Sequence, residues 1–142
     1  MIKRYIQSDY SPLTAIWERS VLHTHDFLSK EDYKLIHSKL PEYFSDVDIF
    51  VYEKAYKIAA FMGISDNKIE MLFCDPDYFR QGIGSSMIYY AVQLLHIKYV
   101  DVNELNNQAV EFYKSMNFIV IGRQEHDIFG YALLHLMYNG SN

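Results

Sequence analysis

The sequence has little of what stabilises a secreted protein or anchors one in a membrane. Its 142 residues include one cysteine, Cys74, which cannot form an internal disulfide. No stretch approaches the roughly 18 consecutive apolar residues of a membrane-spanning helix. Residues 1–9 carry charges where a signal peptide would place its apolar stretch. We therefore expect a cytoplasmic protein that is held together by packing and has no membrane partner.

Positive charge is also scarce. The chain has 13 Lys and Arg against 18 Asp and Glu, a formal net charge of −5. Binding to the phosphates of DNA or RNA requires a basic face, and the sequence does not offer one, so we expect no nucleic-acid partner. An acidic protein would instead favour a cationic acceptor such as an amine.

What the chain does have is enough apolar side chains, half of its residues, to bury one core of ordinary domain size. Hydrophobic periodicity predicts the order strand, two helices, three strands, helix, strand, helix, two strands. This order indicates an α/β (α+β) fold, a single domain over residues 1–142 with a mixed sheet and helices on its faces. The predicted strands are 1–6, 49–53, 58–64, 68–74, 99–103, 118–123 and 131–138, and the predicted helices are 13–22, 30–40, 85–96 and 107–116.

Local signals set some of these boundaries. Ser29 and Asp32 have the spacing of a capping box, which predicts a helix start, and Pro41 predicts that the same helix ends at residue 40. The short connection 54–57 between two strands predicts an antiparallel hairpin.

The most informative segment is 75–86, between an apolar strand and an amphipathic helix. Glycines at a helix start let the backbone approach an anion, and the free N–H groups and helix dipole attract it, so Gly82 and Gly84 predict a phosphate site. The segment is not a P-loop, because no Gly-Lys-Ser/Thr follows. It is not a dinucleotide fingerprint either, because Met87 stands where the third glycine belongs.

At residues 79–84 the chain resembles the GNAT acyltransferase superfamily, whose diphosphate loop reads Arg/Gln-x-x-Gly-x-Gly/Ala between a strand and a helix. Both glycines match. Phe79 stands at the first position, where the pattern has Arg or Gln, and an arginine, Arg80, follows at the second position. A second segment, 103–118, is similar to the superfamily pattern Asn-x-x-Ala-x-x-Phe-Tyr-x-x-x-Gly-Phe. Its glycine is replaced by Asn117, the other residue that readily adopts a left-handed helix cap.

The N-terminal part is similar to a bacterial subgroup of this superfamily, the YjaB-like acetyltransferases. The similarity lies in residues 16–21 and 24–28. The resemblance covers nearly the whole chain. It implies a GNAT fold with a mostly antiparallel central sheet and one splayed strand pair, and acetyl-CoA as the acetyl donor with no metal.

The resemblance also implies a cofactor site. The pantetheine arm would lie in the gap between strands 69–74 and 99–103, bonded to the backbone of Leu72, Phe73 and Cys74. Asn106 and Tyr113 would face the cofactor from the last helix. The residues expected to hold the diphosphate are Phe79, Arg80, Gln81, Gly82, Ile83, Gly84 and Ser85.

Acyl transfer to an amine requires a base for the amine and an acid for the departing thiolate. Tyr113, at the position where the family places such a tyrosine, is the candidate acid, the alternative being a packed ring beside Phe112. Glu70 is the candidate base, directly or through a water, unless it is only a solvated strand residue. A backbone N–H near Phe73 could polarise the thioester carbonyl.

His23, His25 and Asp26 would border the acceptor pocket in the resembling fold, as substrate contacts or as structural residues. A His-x-His pair in a helix points its rings to different faces, so we predict no metal there. Cys74 raises the possibility of an acyl-cysteine intermediate, but no adjacent base would activate it.

The sequence thus predicts an acetyl-CoA-dependent N-acetyltransferase that works by direct attack in a ternary complex. The acceptor is a small-molecule or peptide amine, and the chain is a monomer or homodimer. The alternative is a CoA-binding sensor or interaction module that binds the cofactor without turnover.

Overall fold

The computed structural model describes residues 1–24, 27–127 and 129–140, and its central feature is one sheet with helices on both faces. The strands lie in the order β1-β2-β3-β4-β5-β7-β6, and all neighbours are antiparallel except β4 and β5. The strands are β1 (Ile2–Arg4), β2 (Asp48–Lys54), β3 (Lys57–Ser65), β4 (Lys68–Cys74), β5 (Tyr99–Asn103), β6 (Phe118–Gln124) and β7 (Leu133–Tyr138), and the helices are α1 (Ser11–Thr24), α2 (Lys30–Ser45), α3 (Ile83–Tyr89) and α4 (Asn107–Ser115). The predicted fold class is confirmed.

The β2–β3 hairpin forms as its sequence predicts. Ala55 and Tyr56 form its two-residue turn with φ angles of 51° and 65°. Two successive left-handed residues match the twist of the flanking strands, which is why such turns close hairpins.

The prediction that Pro41 ends α2 is wrong. The helix continues to Ser45, with Pro41 inside it and exposed. The last turn places Phe44 in the core, where its side chain is 1% exposed. A proline in a helix removes one hydrogen bond, and the burial of Phe44 offsets that loss. The helix start is as predicted, because the Ser29 side chain accepts a hydrogen bond from the Asp32 N–H at 3.1 Å.

Other boundaries also differ from prediction. α3 begins at Ile83, not residue 85, and ends in a wider π-helical turn, Tyr90–Leu94. α1 begins at Ser11, because Pro12 is tolerated in a first helical turn. β1 is shorter than residues 1–6, and the last strand begins at Leu133, because Tyr131 belongs to the preceding loop.

Each face of the sheet has its own hydrophobic core. One core packs α3, the following turn and α4 against the sheet, and it includes Met62, Met87, Ile88, Tyr113 and Phe118. The other packs α1 and α2 against β2 and β3, and it includes Leu13, Trp17, Leu40, Phe44 and Phe61. No helix within the described residues is long and apolar enough to cross a lipid bilayer.

The parallel pair β4 and β5 separates soon after it begins. In the described chain, the two strands pair only through Lys68 with Tyr99 and Ile69 with Val100. Directly beyond this point Glu70 is the extra residue of a β-bulge, because Ile69 pairs with Ile64 and Met71 with Gly63 on the next strand. The strands therefore diverge, which confirms the predicted splay.

The burial of α1 predicts a sharp contrast between two of its leucines. Leu13 is fully buried and Leu22 is 76% exposed in the same helix. We expect Leu13→Ala to lower the free energy of unfolding by about 2–5 kcal/mol, because it leaves a cavity. Leu22→Ala, the matched control, should change it by about 0.5 kcal/mol or less. Urea denaturation measures both, and equal effects would contradict the packing of α1.

Candidate functional site

The segment between β4 and α3 bends twice to bring its backbone to the helix start. A 3₁₀ turn, Pro76–Tyr78, begins at Asp75, whose side chain accepts from the Asp77 N–H at 3.0 Å. Arg80 and Gly82 then adopt left-handed conformations, with φ angles of 64° and 76°. Arg19 of α1 holds this segment by ion pairs of 2.9 Å to each of the two aspartates.

The start of α3 faces a cleft of about 400 Å³, called here the cofactor cleft. Gly82 has no side chain to cap the helix, so the first N–H groups of α3 are available to an anion. A Cβ on Gly84 would lie 3.3 Å from the Phe112 ring, so a larger residue would crowd the cleft. Ten residues predicted from the sequence line it, namely Leu72, Phe73, Cys74, Phe79, Arg80, Gly82, Ile83, Gly84, Ser85 and Asn106.

Two residues predicted for the cofactor do not line this cleft. Gln81 is exposed, and its side chain accepts a hydrogen bond from Lys54 of the β2–β3 hairpin. Tyr113 instead lines the space where β4 and β5 diverge, a volume of about 150 Å³ that we call the strand gap.

Tyr113 is 6% exposed and packs edge-on against Phe112 and Phe118, with ring centroids 5.3 and 5.6 Å away. Its hydroxyl makes no hydrogen bond to any described residue. Every fully buried side-chain oxygen among the described residues does have a hydrogen-bond partner, so the Tyr113 hydroxyl is not fully buried and retains some solvent access. Burial raises the pKa of Tyr113 well above that of an ordinary phenol. The side chain therefore holds its proton at neutral pH.

Glu70, on the bulge of β4, lines both the strand gap and a larger cavity beyond it. Glu70 is exposed, as the alternative of a solvated strand residue would have it. Partial loss of solvent contact is nevertheless the main cause that raises the pKa of Glu70, and the negative charges of Asp101 and Asp66 act in the same direction. The positive charge of Lys68 opposes them. A carboxylate with a raised pKa at the mouth of a gap is a better proton acceptor than an ordinary glutamate.

Asp101 of β5 faces the same gap across from Glu70. Its two carboxylate oxygens bond to Lys68 Nζ and to His135 Nδ1, each at 2.7 Å. His135 is the direct cross-strand partner of Asp101 on β7. This bonding to Asp101 is the main cause that raises the pKa of Lys68. Asp101 is thus fixed in position by both of its neighbours.

The larger cavity, called here the acceptor cavity, has a volume of about 430 Å³ and lies between the sheet, α1 and α2. Its acidic side chains are Glu70, Asp101 and Asp127. Its other lining residues are mainly apolar, namely Trp17, Val21, Phe27, Leu28, Ile36, Leu40, Tyr43, Met71, Phe73, Phe129, Tyr131 and Leu133, with Asn103 beside them.

The loop before β7 closes one side of the acceptor cavity. The Asp127 carboxylate accepts from the backbone N–H groups of Phe129 and Tyr131 at 2.8 and 2.9 Å. The Tyr131 hydroxyl donates to the carboxylate of Asp32 in α2 at 2.6 Å. These bonds hold the loop against the helix.

The residues predicted as substrate contacts are only partly described. His23 is exposed and its ring lies 5.4 Å from that of Phe79, next to the cofactor cleft rather than the acceptor cavity. His25 and Asp26 lie outside the described residues. In the described part of the chain, no three His, Cys, Asp or Glu side chains come close enough to hold a metal ion.

Cys74 lines the cofactor cleft, where burial raises the pKa of its thiol to about 11. A thiol with this pKa is almost entirely protonated at neutral pH, and only the thiolate is nucleophilic. The position therefore does not favour an acyl-cysteine route.

The sequence did not single out Asp101 and Asn103. A signal was present, because they alternate with the buried Val100 and Val102 along β5 and so share one face of the strand. The loop residues Asp127 and Tyr131 had no comparable signal, since their contacts depend on how the loop meets α2.

The three spaces adjoin one another and share lining residues. Glu70, Asp101 and Asn103 line both the acceptor cavity and the strand gap. Leu72 and Asn106 line both the strand gap and the cofactor cleft, and Phe73 lines all three spaces. A helix start without a side-chain cap thus lies on one side of the splayed strand pair, and a cavity with acidic side chains lies on the other.

This fold and site define a class of enzyme. The family described as "Acetyltransferase (GNAT) domain" matches residues 45–120 of the chain. The chain belongs to the GNAT acetyltransferase family, and it is an acyltransferase.

Two named enzymes and one solved structure are similar to this chain over nearly its whole length. The chain is 40% identical over 143 residues to the peptidyl-lysine N-acetyltransferase YjaB of Salmonella typhimurium, covering 96% of this chain and 97% of that protein. It is also 40% identical to the enzyme of the same name from Escherichia coli, covering 99% and 97%. The solution structure of apo-form YjaB from Escherichia coli superposes with a TM-score of 0.88 at 36% identity, covering 99% and 98%.

Proposed function

We propose that this chain is an acetyl-CoA-dependent peptidyl-lysine N-acetyltransferase that acts by direct attack in a ternary complex. The observation that carries the proposal is the strand gap, which is lined by both Glu70 and Tyr113 and lies between the cofactor cleft and the acceptor cavity. The proposed base and the proposed acid would therefore flank a point where two substrates could meet. The single cysteine fits our expectation of a cytoplasmic enzyme.

The proposed acetyl donor fits the residues of the cleft. The helix start at Gly82 and Gly84 suits a diphosphate, and the edge of β4 beyond Ile69, unpaired with β5, suits an extended amide-bearing arm. When bound, acetyl-CoA supplies an acetyl group on a thioester, whose reaction with an amine yields an amide and a free thiol.

Glu70 is the proposed base. An alkylammonium with a pKa of about 10.4 must lose a proton before its nitrogen can attack a carbonyl carbon. The carboxylate of Glu70 would accept this proton directly or through a water. Its raised pKa makes the difference in pKa between the alkylammonium and Glu70 smaller. Asp101, fixed by Lys68 and His135, adds negative charge that attracts the ammonium.

Tyr113 is the proposed acid, which would donate its Oη proton to the departing sulfur. An ordinary thiolate is a weaker base than a tyrosinate. Burial raises the pKa of the Cys74 thiol in the adjoining cleft to about 11 and raises the pKa of Tyr113 as well, so the acid and a departing sulfur shift in the same direction. A sulfur leaving within the same cleft would become more basic for the same reason.

A lysine acceptor is supported by two separate observations. The similar proteins from Salmonella typhimurium and Escherichia coli are named as peptidyl-lysine N-acetyltransferases. In this chain, the end of the acceptor cavity next to the strand gap carries Glu70 and Asp101, which suit a cation on a flexible aliphatic chain.

Replacing Gly84 tests the cofactor cleft. We expect wild-type protein to bind acetyl-CoA saturably in calorimetric titration, and Gly84→Asp to abolish binding. The new side chain would crowd Phe112 and bring a negative charge to the phosphates. Absence of binding by the wild type would contradict the proposal, whereas tight binding without turnover on any lysine peptide would favour a sensor.

Replacing Tyr113 tests the acid. We expect Tyr113→Phe to lower kcat about 10²- to 10⁴-fold, the usual range for a lost general acid, while acetyl-CoA binding is retained. Tyr138→Phe is the matched control, because Tyr138 packs against the same Phe118 ring but does not line the strand gap. Steady-state kinetics on a lysine peptide measure both, and an unchanged kcat for Tyr113→Phe would eliminate its role.

The dependence of kcat/KM on pH shows which of the two carboxylates, Glu70 or Asp101, acts as the base. With Glu70 as base, activity should rise with pH through its pKa, and Glu70→Gln should remove this limb. Asp101→Asn should keep the limb but move it to lower pH, because the negative charge of Asp101 raises the pKa of Glu70. If Asp101→Asn removes the limb and Glu70→Gln keeps it, then Asp101 is the base.

A further inference from the structure

The end of the acceptor cavity away from the strand gap is an apolar recess between two helices. Its walls are Trp17 and Val21 of α1 and Ile36, Leu40 and Tyr43 of α2. None of these five residues lines the strand gap. Trp17, Val21 and Leu40 are 3%, 3% and 1% exposed, and the Trp17 ring packs on that of Tyr33 at 4.9 Å. These three walls are therefore fixed by packing, and the half-buried Ile36 and Tyr43 present more of the accessible surface of the recess.

The acceptor cavity is larger than one lysine side chain requires. A lysine side chain has five heavy atoms, which at about 30 Å³ each, the share of a water molecule, occupy roughly 150 Å³. The cavity holds about 430 Å³. A lysine that reaches the strand gap would leave most of the cavity for something else.

The chemistry of the recess selects the second occupant. Of the three acids of the cavity, Glu70 and Asp101 lie at the strand gap, and none of the five walls of the recess carries a charge. The third acid, Asp127, belongs to the loop before β7, where two backbone N–H groups already bond its carboxylate. An ammonium placed in the recess would lose its hydration without gaining a counter-charge, which is strongly unfavourable. An aliphatic or aromatic side chain would instead gain from burial there.

We propose that this recess is a second subsite, which binds a bulky aliphatic or aromatic side chain next to the acceptor lysine in the same peptide. The inference rests on the proposed peptidyl-lysine activity and adds a sequence preference to it. The occupant is a peptide residue because the recess is continuous with the acidic end that suits the lysine, so one peptide can fill both.

A peptide pair tests the preference. Two blocked peptides differ only in Leu or Ser at the positions flanking one lysine, and kcat/KM is measured for each with saturating acetyl-CoA. We expect the Leu peptide to be preferred roughly tenfold or more, mainly through KM, since an apolar pocket discriminates by burial. Equal kcat/KM values for the two peptides would overturn the subsite.

A variant of α2 shows where the preference arises. Ile36→Phe extends into the recess, so the ratio of the two kcat/KM values should fall towards one. Leu35→Phe is the matched control, because Leu35 is the neighbouring residue, is 44% exposed and does not line the cavity. The control should keep the ratio of the wild type, and a ratio that Ile36→Phe leaves unchanged would contradict the assignment.

Trp17 provides a readout that does not depend on turnover. It is the single tryptophan of the chain and forms one wall of the recess, so its fluorescence reports occupancy. The same peptides with Nε-acetyl-lysine in place of lysine cannot be acetylated again. We expect the Leu form to change Trp17 emission saturably at concentrations where the Ser form does not.

The two readouts separate failure of the subsite from failure of the proposed activity. If the Leu peptide alters Trp17 emission but no lysine peptide is acetylated, the subsite stands and the activity is wrong. If both peptides are acetylated equally and Trp17 does not respond, the activity stands and the subsite is overturned. A recess that serves longer acyl groups would also overturn it, and would show as butyryl-CoA turnover lost in Ile36→Phe without any peptide preference.

Discussion

The site depends on a parallel strand pair that is held together at one end only. β4 and β5 pair at two positions, and each then remains in the sheet through its other neighbour, β3 or β7. The bulge at Glu70 lies at the point of separation. A β-bulge bends a strand and turns side chains away from their regular face, so one irregularity both opens the gap and places a carboxylate at its mouth. The cofactor cleft and the acceptor cavity lie on either side of this opening and share lining residues with it.

Where β4 and β5 separate, polar groups lose hydrogen bonds between the strands. Most of the polar side chains around the gap have other hydrogen-bond partners. Asp101 is bonded on both oxygens, and Asn106 caps α4 by accepting from the Ala109 N–H at 3.2 Å. Tyr113 is the contrast, since its ring packs against Phe112 and Phe118 while its hydroxyl makes no hydrogen bond to a described residue, and the side chain lines the gap. A polar group kept without a protein partner in an otherwise well-bonded region is available to a substrate.

Much of the geometry around the start of α3 could be predicted because its determinants are local. Gly82 is left-handed at a helix start, and Asn117, just beyond the end of α4, has a φ of 71°, as its replacement of a glycine indicated. Ten of the predicted cofactor residues line one cleft, because neighbours in a loop stay neighbours in space. The end of α2 was not predictable in this way, since a proline signal is local whereas the burial of Phe44 depends on the sheet below it.

The acceptor cavity shows most clearly what could not be predicted from the sequence alone. The bond between Tyr131 and Asp32 joins residues 99 positions apart, and Asp101 meets His135 across 34 positions. The sequence by itself determined the family, the fold class and the glycine-containing turn before α3, because these follow from periodicity, glycine and short-range spacing. Only the tertiary structure decided which acids face the gap, how Tyr113 is buried and that an apolar recess lies behind the acceptor end. Those features arise where distant segments pack, and no local pattern encodes which distant segments will meet.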